Sequence, residues 1–233
     1  MKRTFAFLVA SLFLSAPGLL LAVEPIGAFT AGARILFQGD SITDGNRGRG
    51  SDPNHILGHG YVFIIAARHG ASFPDARLDF MNRGISGNTV LDLAKRWQRD
   101  TLDLEPDVLS IMIGVNDNSR QVPLETYEEE YDTLIAAARG GNPALRVVLC
   151  EPFVKPAASI DATILKRQEI VARLAAKHDA ALVRFQPVFD AASRETPADY
   201  WIWDNVHPTY RGHQLMADEW ERVVRAKWPA SGR

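Results

Sequence analysis

The amino-acid sequence predicts a three-layer α/β/α sandwich built on a five-stranded parallel sheet. Five short apolar runs recur along the chain, and the helical patterns between them are long enough to carry right-handed crossovers. The runs are nearly unbroken rather than alternating, as suits strands covered on both faces. Length adds a bound: 233 residues suffice for one domain with a sizeable core and fall short of two ordinary ones. A hydrophobic share of 46% with 23% charged residues excludes disorder, collagen-like repetition and a disulfide scaffold.

The first residues are not expected to join that fold. Lys2 and Arg3 precede an apolar run from Phe5 to Ala22, interrupted by Ser11, Ser15, Pro17 and Gly18. This reads as a secretory signal peptide over residues 1–22, so residues 23–233 form the domain and the protein is expected to be exported, periplasmic or secreted. The Pro17-Gly18 pair argues against a stable membrane span; an uncleaved signal anchor is the alternative. No cysteine lies near the cleavage region, which argues against a lipoprotein anchor. Cleavage would leave 24 basic against 28 acidic residues. Such mild acidity gives no reason to expect a nucleic-acid partner, and none is expected in the membrane once the signal is gone. Cys150 is the only cysteine; it offers no internal disulfide and reads as a small buried core residue.

Arg34 to Asp40 is the first strand, and it runs straight into Gly39-Asp40-Ser41. From Asp44 to Gly60 follows a long polar, glycine-rich loop, expected to line a substrate cleft. His55 and His59 within it have metal-pair spacing, but no Glu, third His or thiol completes a set, so no metal is expected. Its Gly-x-Gly pattern does not follow a strand directly and is no dinucleotide fingerprint. Tyr61 to His69 is helical and stopped by Gly70. Leu78 to Asn82 is the second strand, ending in the turn Arg83-Gly84-Ile85-Ser86-Gly87-Asn88. Thr89 to Leu104 is an amphipathic helix with Val90, Leu93, Ala94, Trp97 and Leu102 on or near one face, ended by Pro106. Val108 to Ile113 is the clearest strand, followed by Gly114-Val115-Asn116-Asp117. Pro123 to Arg139 is a helix with proline at its start and Gly140-Gly141 beyond its end. Strand Leu145–Cys150, helix Asp161–His178 and strand Ala181–Phe185 follow, and helix Tyr210–Trp228 closes the domain. The strand order expected of this alternation is flavodoxin-like, with the site at the carboxyl edge of the sheet.

Four turns then point at one edge, each with a polar group of separate use. Ser41 supplies a hydroxyl at a strand-to-helix turn, where main-chain N–H groups can hold an oxyanion. Gly84 supplies an N–H unobstructed by a side chain, and Asn116 an amide donor. Asp204 and His207 lie three residues apart, close enough for the carboxylate to hold the imidazole Nδ1–H and leave Nε2 to take a proton from Ser41. Each group alone has an ordinary reading as a cap, a turn or a surface residue. Their shared position at strand ends, in a compatible order, favours nucleophilic catalysis.

These blocks resemble the serine hydrolases called GDSL or SGNH. Gly39-Asp40-Ser41-Ile42-Thr43 is similar to the nucleophile block. Gly84 falls where the oxyanion glycine is expected, Gly114-Val115-Asn116-Asp117 resembles the oxyanion asparagine block, and Asp204-Asn205-Val206-His207-Pro208 resembles the block of acid and base. The absence of Gly-x-Ser-x-Gly separates the chain from ordinary α/β-hydrolases. Within the family, Asn82 to Val90, Ser110 to Asp117 and the Trp203-Asp204 pair look most like the acetylxylan-esterase branch. The resemblance implies the SGNH hydrolase fold and a serine esterase, with Ser41, His207 and Asp204 catalytic. It implies an oxyanion hole from Ser41, Gly84 and Asn116, no metal or organic cofactor, and as substrate a short acyl group, acetyl, on a polysaccharide such as xylan. Trp201 and Trp203 are candidates to border the substrate or simply to pack beside the last helix. Asp40 stands with them but is expected to hold the turn rather than react. The alternatives are a lysophospholipase, aryl esterase or thioesterase of the same family, and a non-catalytic glycan-binding protein on the same scaffold. Homo-oligomers are left open.

Overall fold

The computed structural model describes residues 23–156 and 162–230. Residues 1–22, where a signal peptide is expected, lie outside the described residues, as does Asp161, the expected start of a helix. Five strands form one sheet: β1 (Arg34–Gly39), β2 (Asp79–Asn82), β3 (Val108–Met112), β4 (Arg146–Cys150) and β5 (Ala181–Val183). All pairs are parallel, in the order β2-β1-β3-β4-β5, which is the flavodoxin-like order expected. Every residue of β3 is buried, as its unbroken apolar run requires. The chain leaves β1 toward β2 on one side and later returns to β3 on the other. The carboxyl ends of β1 and β3 therefore diverge at a switch point, and Gly39 pairs there with Met112.

The helices are α1 (Ser41–Asp44), α2 (Tyr61–Ser72), α3 (Val90–Asp100), α4 (Val115–Ser119), α5 (Leu124–Gly141), α6 (Ala162–Lys177), α7 (Phe185–Ala192) and α8 (Tyr210–Lys227). On one face of the sheet α2, α7 and α8 bury Phe37, Tyr61, Phe185 and Trp220. On the other, α3, α5 and α6 bury Leu36, Trp97, Leu109 and Tyr131. The single indole N–H of Trp220 is met by Ser110 Oγ at 3.0 Å, so the sheet's central strand satisfies it.

Several boundaries differ from the sequence pattern, each for a local reason. Helix α2 passes through Gly70 because that position faces solvent. It stops at Phe73 (φ −132°, ψ 59°), which the ring of Pro74 keeps out of the helical region. The expected helix Thr89–Leu104 is shorter. Thr89 and Asp92 form a capping box at its start, and Thr101 breaks away to receive Gln38 Nε2 on its hydroxyl at 2.8 Å. Gly140 and Gly141 lie inside the last turn of α5, not beyond it. Strand β5 ends at Val183, and Phe185 opens a helix the sequence reading did not anticipate. Phe185 and Phe189, four residues apart, bury one face of it.

Candidate active site

β1 ends in Gly39, where a Cβ would lie 2.4 Å from Thr43 Oγ1 and 2.5 Å from the Met112 carbonyl. Glycine thus lets α1 fold back tightly on the end of the sheet. Asp40 is the N-cap of α1, and its carboxylate accepts the Ile42 N–H at 3.0 Å. That carboxyl is 1% exposed, and burial pushes its pKa up to about 7. It holds the turn and has no surface to offer a substrate, so the grouping of Asp40 with substrate-bordering residues is corrected.

Ser41 follows as the first helical residue, where its own N–H has no intrahelical acceptor. Its Oγ lies 2.8 Å from His207 Nε2. His207 Nδ1 lies 2.7 Å from Asp204 Oδ2. The second oxygen of Asp204 accepts the N–H groups of Val206 (2.8 Å) and His207 (2.7 Å). Burial works to raise the Asp204 carboxyl, but those two N–H groups and the imidazole outweigh it and hold the group below its ordinary range. An antiparallel bridge between Ile202 and Pro208 and the bond from Trp203 N–H to the His207 carbonyl (3.1 Å) close this loop. The ionised carboxylate keeps the imidazole proton on Nδ1 and leaves the Nε2 lone pair to receive the serine hydroxyl.

Asn116 sits in α4, just past β3, and one of its amide hydrogens goes to the Asn88 carbonyl at 3.0 Å. The other is left for an incoming oxygen. Gly84 does not meet the expectation placed on it. Its N–H donates to Asn82 Oδ1 at 2.9 Å, and its carbonyl accepts Arg47 Nε at 3.0 Å. A Cβ there would lie 2.4 Å from the Asp44 nitrogen, so Gly84 is glycine for packing. Gly87, three residues on, has φ +81° and donates its N–H to none of the described groups. It directly precedes Asn88, whose carbonyl holds Asn116. Gly87 is therefore the turn's available main-chain donor. The sequence carried both glycines in one turn and no signal to choose between them.

Further residues hold this edge together and escaped the sequence reading. Asp44, 1% exposed, accepts Arg49 through two bonds (3.0 and 2.6 Å) and the N–H and hydroxyl of Ser86 (2.9 and 3.0 Å). Burial alone would raise its pKa; Arg49 and Ser86 bring it below the usual value. Asn82 donates to the carbonyls of Thr43 (2.7 Å) and Leu57 (3.0 Å). His213 accepts the Tyr61 N–H on Nδ1 at 3.2 Å, and burial drives its pKa down to about 4.

Of the two tryptophans, Trp201 takes the packing role. Its Nε1 donates to the Ala192 carbonyl at 3.2 Å and its ring lies against the core. Trp203 is 67% exposed beside Asp204. His55 lies 3.6 Å from Asp52, and no group of three metal-type side chains is assembled among the described residues. Burial raises the Cys150 thiol to about 12, which leaves it un-ionised and inert as a nucleophile.

Residues 37–215 match the model of the GDSL-like lipase/acylhydrolase family. An acetylxylan esterase of Geobacillus stearothermophilus is 33% identical over 214 residues, covering 86% of this chain and 98% of its own. A crystal structure of an acetylxylan esterase from that organism superposes with a TM-score of 0.79 at 31% identity, over 88% of this chain and 100% of the other. An alpha/beta hydrolase enzyme from the metagenome of Lake Arreo, Spain, gives a TM-score of 0.79 at 33% identity, over 84% and 97% of the two chains.

Proposed function

The chain belongs to the GDSL-like lipase/acylhydrolase family and is a carboxylic ester hydrolase, and from that premise we propose that it removes acetyl groups from plant-wall polysaccharide such as xylan. The observation that carries the mechanism is the continuous chain Ser41–His207–Asp204, with contacts of 2.8 and 2.7 Å. Ser41 Oγ attacks the ester carbonyl while its proton passes to His207 Nε2. The carbonyl oxygen becomes an oxyanion facing the Ser41 N–H, the Gly87 N–H and the free Asn116 hydrogen. The C–O bond to the sugar then breaks, and the departing oxygen takes the proton from His207. Water attacks the acetyl-serine by the same route, giving acetate and free Ser41. A positioned base contributes typically ~10²–10⁴-fold, and each oxyanion donor about 10²–10³-fold.

The acetyl-polysaccharide half of the proposal rests on the acetylxylan-esterase relative and on the surface around His207. Because His207 protonates the departing oxygen, the alcohol half of the ester lies on its side of Ser41. There Trp203 is exposed, and Tyr200 and Tyr210 flank Arg211, whose guanidinium carbon lies 4.1 and 4.3 Å from their ring centres. Exposed rings of this kind suit sugar faces better than acyl tails. Two crystal structures of the Geobacillus stearothermophilus esterase are of catalytic mutants, one with a serine and one with an aspartate replaced by alanine, which supports the roles given to Ser41 and Asp204. Export through residues 1–22 would bring the enzyme to a polymer found outside the cell.

The test is acetate release from acetylated xylo-oligosaccharides by the wild type and Ser41→Ala, beside an octanoyl ester. Wild-type release that falls by roughly 10⁴-fold or more in the variant, with slow octanoyl turnover, is the expected result. Fast octanoyl cleavage without acetate release would move the substrate to lipids.

A further inference from the structure

A buried guanidinium lies behind the oxyanion donors, and none of the chemistry above uses it. Arg96, in the middle of α3, is 9% exposed. Its Nε donates to Asn88 Oδ1 at 2.9 Å. Nη1 donates to Gln38 Oε1 (2.9 Å), the Arg83 carbonyl (2.8 Å) and Asp100 Oδ2 (3.2 Å), and Nη2 reaches the Gly39 carbonyl at 3.4 Å. Gln38 is itself fixed, its amide donating to the Asp100 carbonyl at 2.7 Å and Thr101 Oγ1 at 2.8 Å. Burying such a cation is costly unless each donor is met. Here the acceptors come from three segments: the end of β1, the turn after β2, and the helix's own Asp100.

Those acceptors bracket the chemistry. Gly39 stands two residues before Ser41. The turn from Arg83 to Asn88 contains Gly87, and the Asn88 carbonyl holds the amide of Asn116. We propose that Arg96 is the positioning residue of the oxyanion site: its guanidinium clamps the nucleophile strand to the Arg83–Asn88 turn and so sets where the Gly87 N–H and the Asn116 amide point. Only a planar fork with donors in several directions can make these contacts together; lysine keeps the charge and loses the fork. The inference rests on Gly87 and Asn116 being the oxyanion donors.

An oxyanion exists only in the transition state and the tetrahedral intermediate, so misaligned donors lower kcat and leave KM nearly unchanged. The experiment measures kcat and KM on a small acetyl ester for R96K, N116A and the double variant, with melting temperature and folded fraction for each. R96K is expected to lose about 10²-fold in kcat, the scale of a misplacement of about 1 Å, with the pH profile intact because Ser41, His207 and Asp204 are untouched. In the N116A background the same change should cost less, since the part of its effect that runs through the Asn116 amide is already gone and only the Gly87 part remains. Asn88→Ala removes the Nε partner, keeps the Asn88 carbonyl, and should show the same coupling to N116A; it serves if R96K does not fold. Full kcat in R96K or N88A, or losses that multiply independently with N116A, would overturn the role of Arg96. A loss that disappears when rates are normalised to folded protein would do the same. If N116A itself retains full kcat, the oxyanion assignment beneath the inference fails, while loss of turnover in Ser41→Ala still upholds the esterase.

Discussion

Gly84 and Gly87 stand three residues apart in one turn, and a methyl group has different consequences at each. At Gly84 it would meet the Asp44 nitrogen at 2.4 Å and the Thr43 carbonyl carbon at 2.8 Å, backbone atoms that cannot step aside. Gly84→Ala is therefore expected to lower the melting temperature sharply or prevent folding. At Gly87 the nearest atom is Arg120 Nη2 at 3.4 Å, so space is available. The cost there is the left-handed backbone, ~1–2 kcal/mol for an L-residue. Gly87→Ala should fold and lose kcat as the turn relaxes and its N–H swings away. Thermal melts beside kcat on an acetyl ester separate the two, and a fully active Gly87→Ala enzyme would remove that glycine from the mechanism. The pair also marks a limit of one-dimensional reading. Gly84 fits an oxyanion turn by position, and only the competing acceptor on Asn82 shows that its N–H is taken.

At the scale of an element, α2 begins without a side-chain cap of its own, because its N-cap is Gly60. His213 of α8, 152 residues away, accepts the Tyr61 N–H on Nδ1 and stacks on the Tyr61 ring at 11°. An imidazole can accept there only while Nδ1 is unprotonated. Burial lowers its pKa from 6.5 to about 4, so the neutral ring's contribution is fully present above pH 6.5 and is lost as pH falls through about 4. The displacement corresponds to on the order of 3 kcal/mol. His213→Gln keeps an acceptor and removes the titration. The stability gap between wild type and variant should therefore shift in the variant's favour from pH 6.5 down to 4, followed by melts across that range. A gap independent of pH would show that His213 does not titrate with folding. α7 shows the same dependence on context. Its first residue falls inside the strand expected over Ala181–Phe185, and tertiary packing of Phe185 and Phe189 decides for helix.

For the whole molecule, stability is divided between the two faces of the sheet, and Trp220 is the largest fully buried side chain. It packs on Phe37 of β1 at 5.2 Å between ring centres and binds Ser110 of β3. Trp220→Ala is expected to cost about 3–5 kcal/mol and to lower the melting temperature by roughly 10 °C, as read by calorimetry. An unchanged melting temperature would mean this face carries little of the stability. The same architecture explains what was legible beforehand. The five strands, Ser41 at the end of β1, Asn116 after β3 and the Asp204–His207 pair all follow from patterns within a few residues. Backbone periodicity and short spacing carry that information along the chain. The choice of Gly87 over Gly84, the clamp of Arg96 on Gln38 from 58 residues away and the capping of α2 by His213 depend on which distant donors meet which acceptors. Hydrogen-bond partners are assigned by proximity in space, and most buried polar groups must find one at the same time; only the assembled tertiary structure decides which.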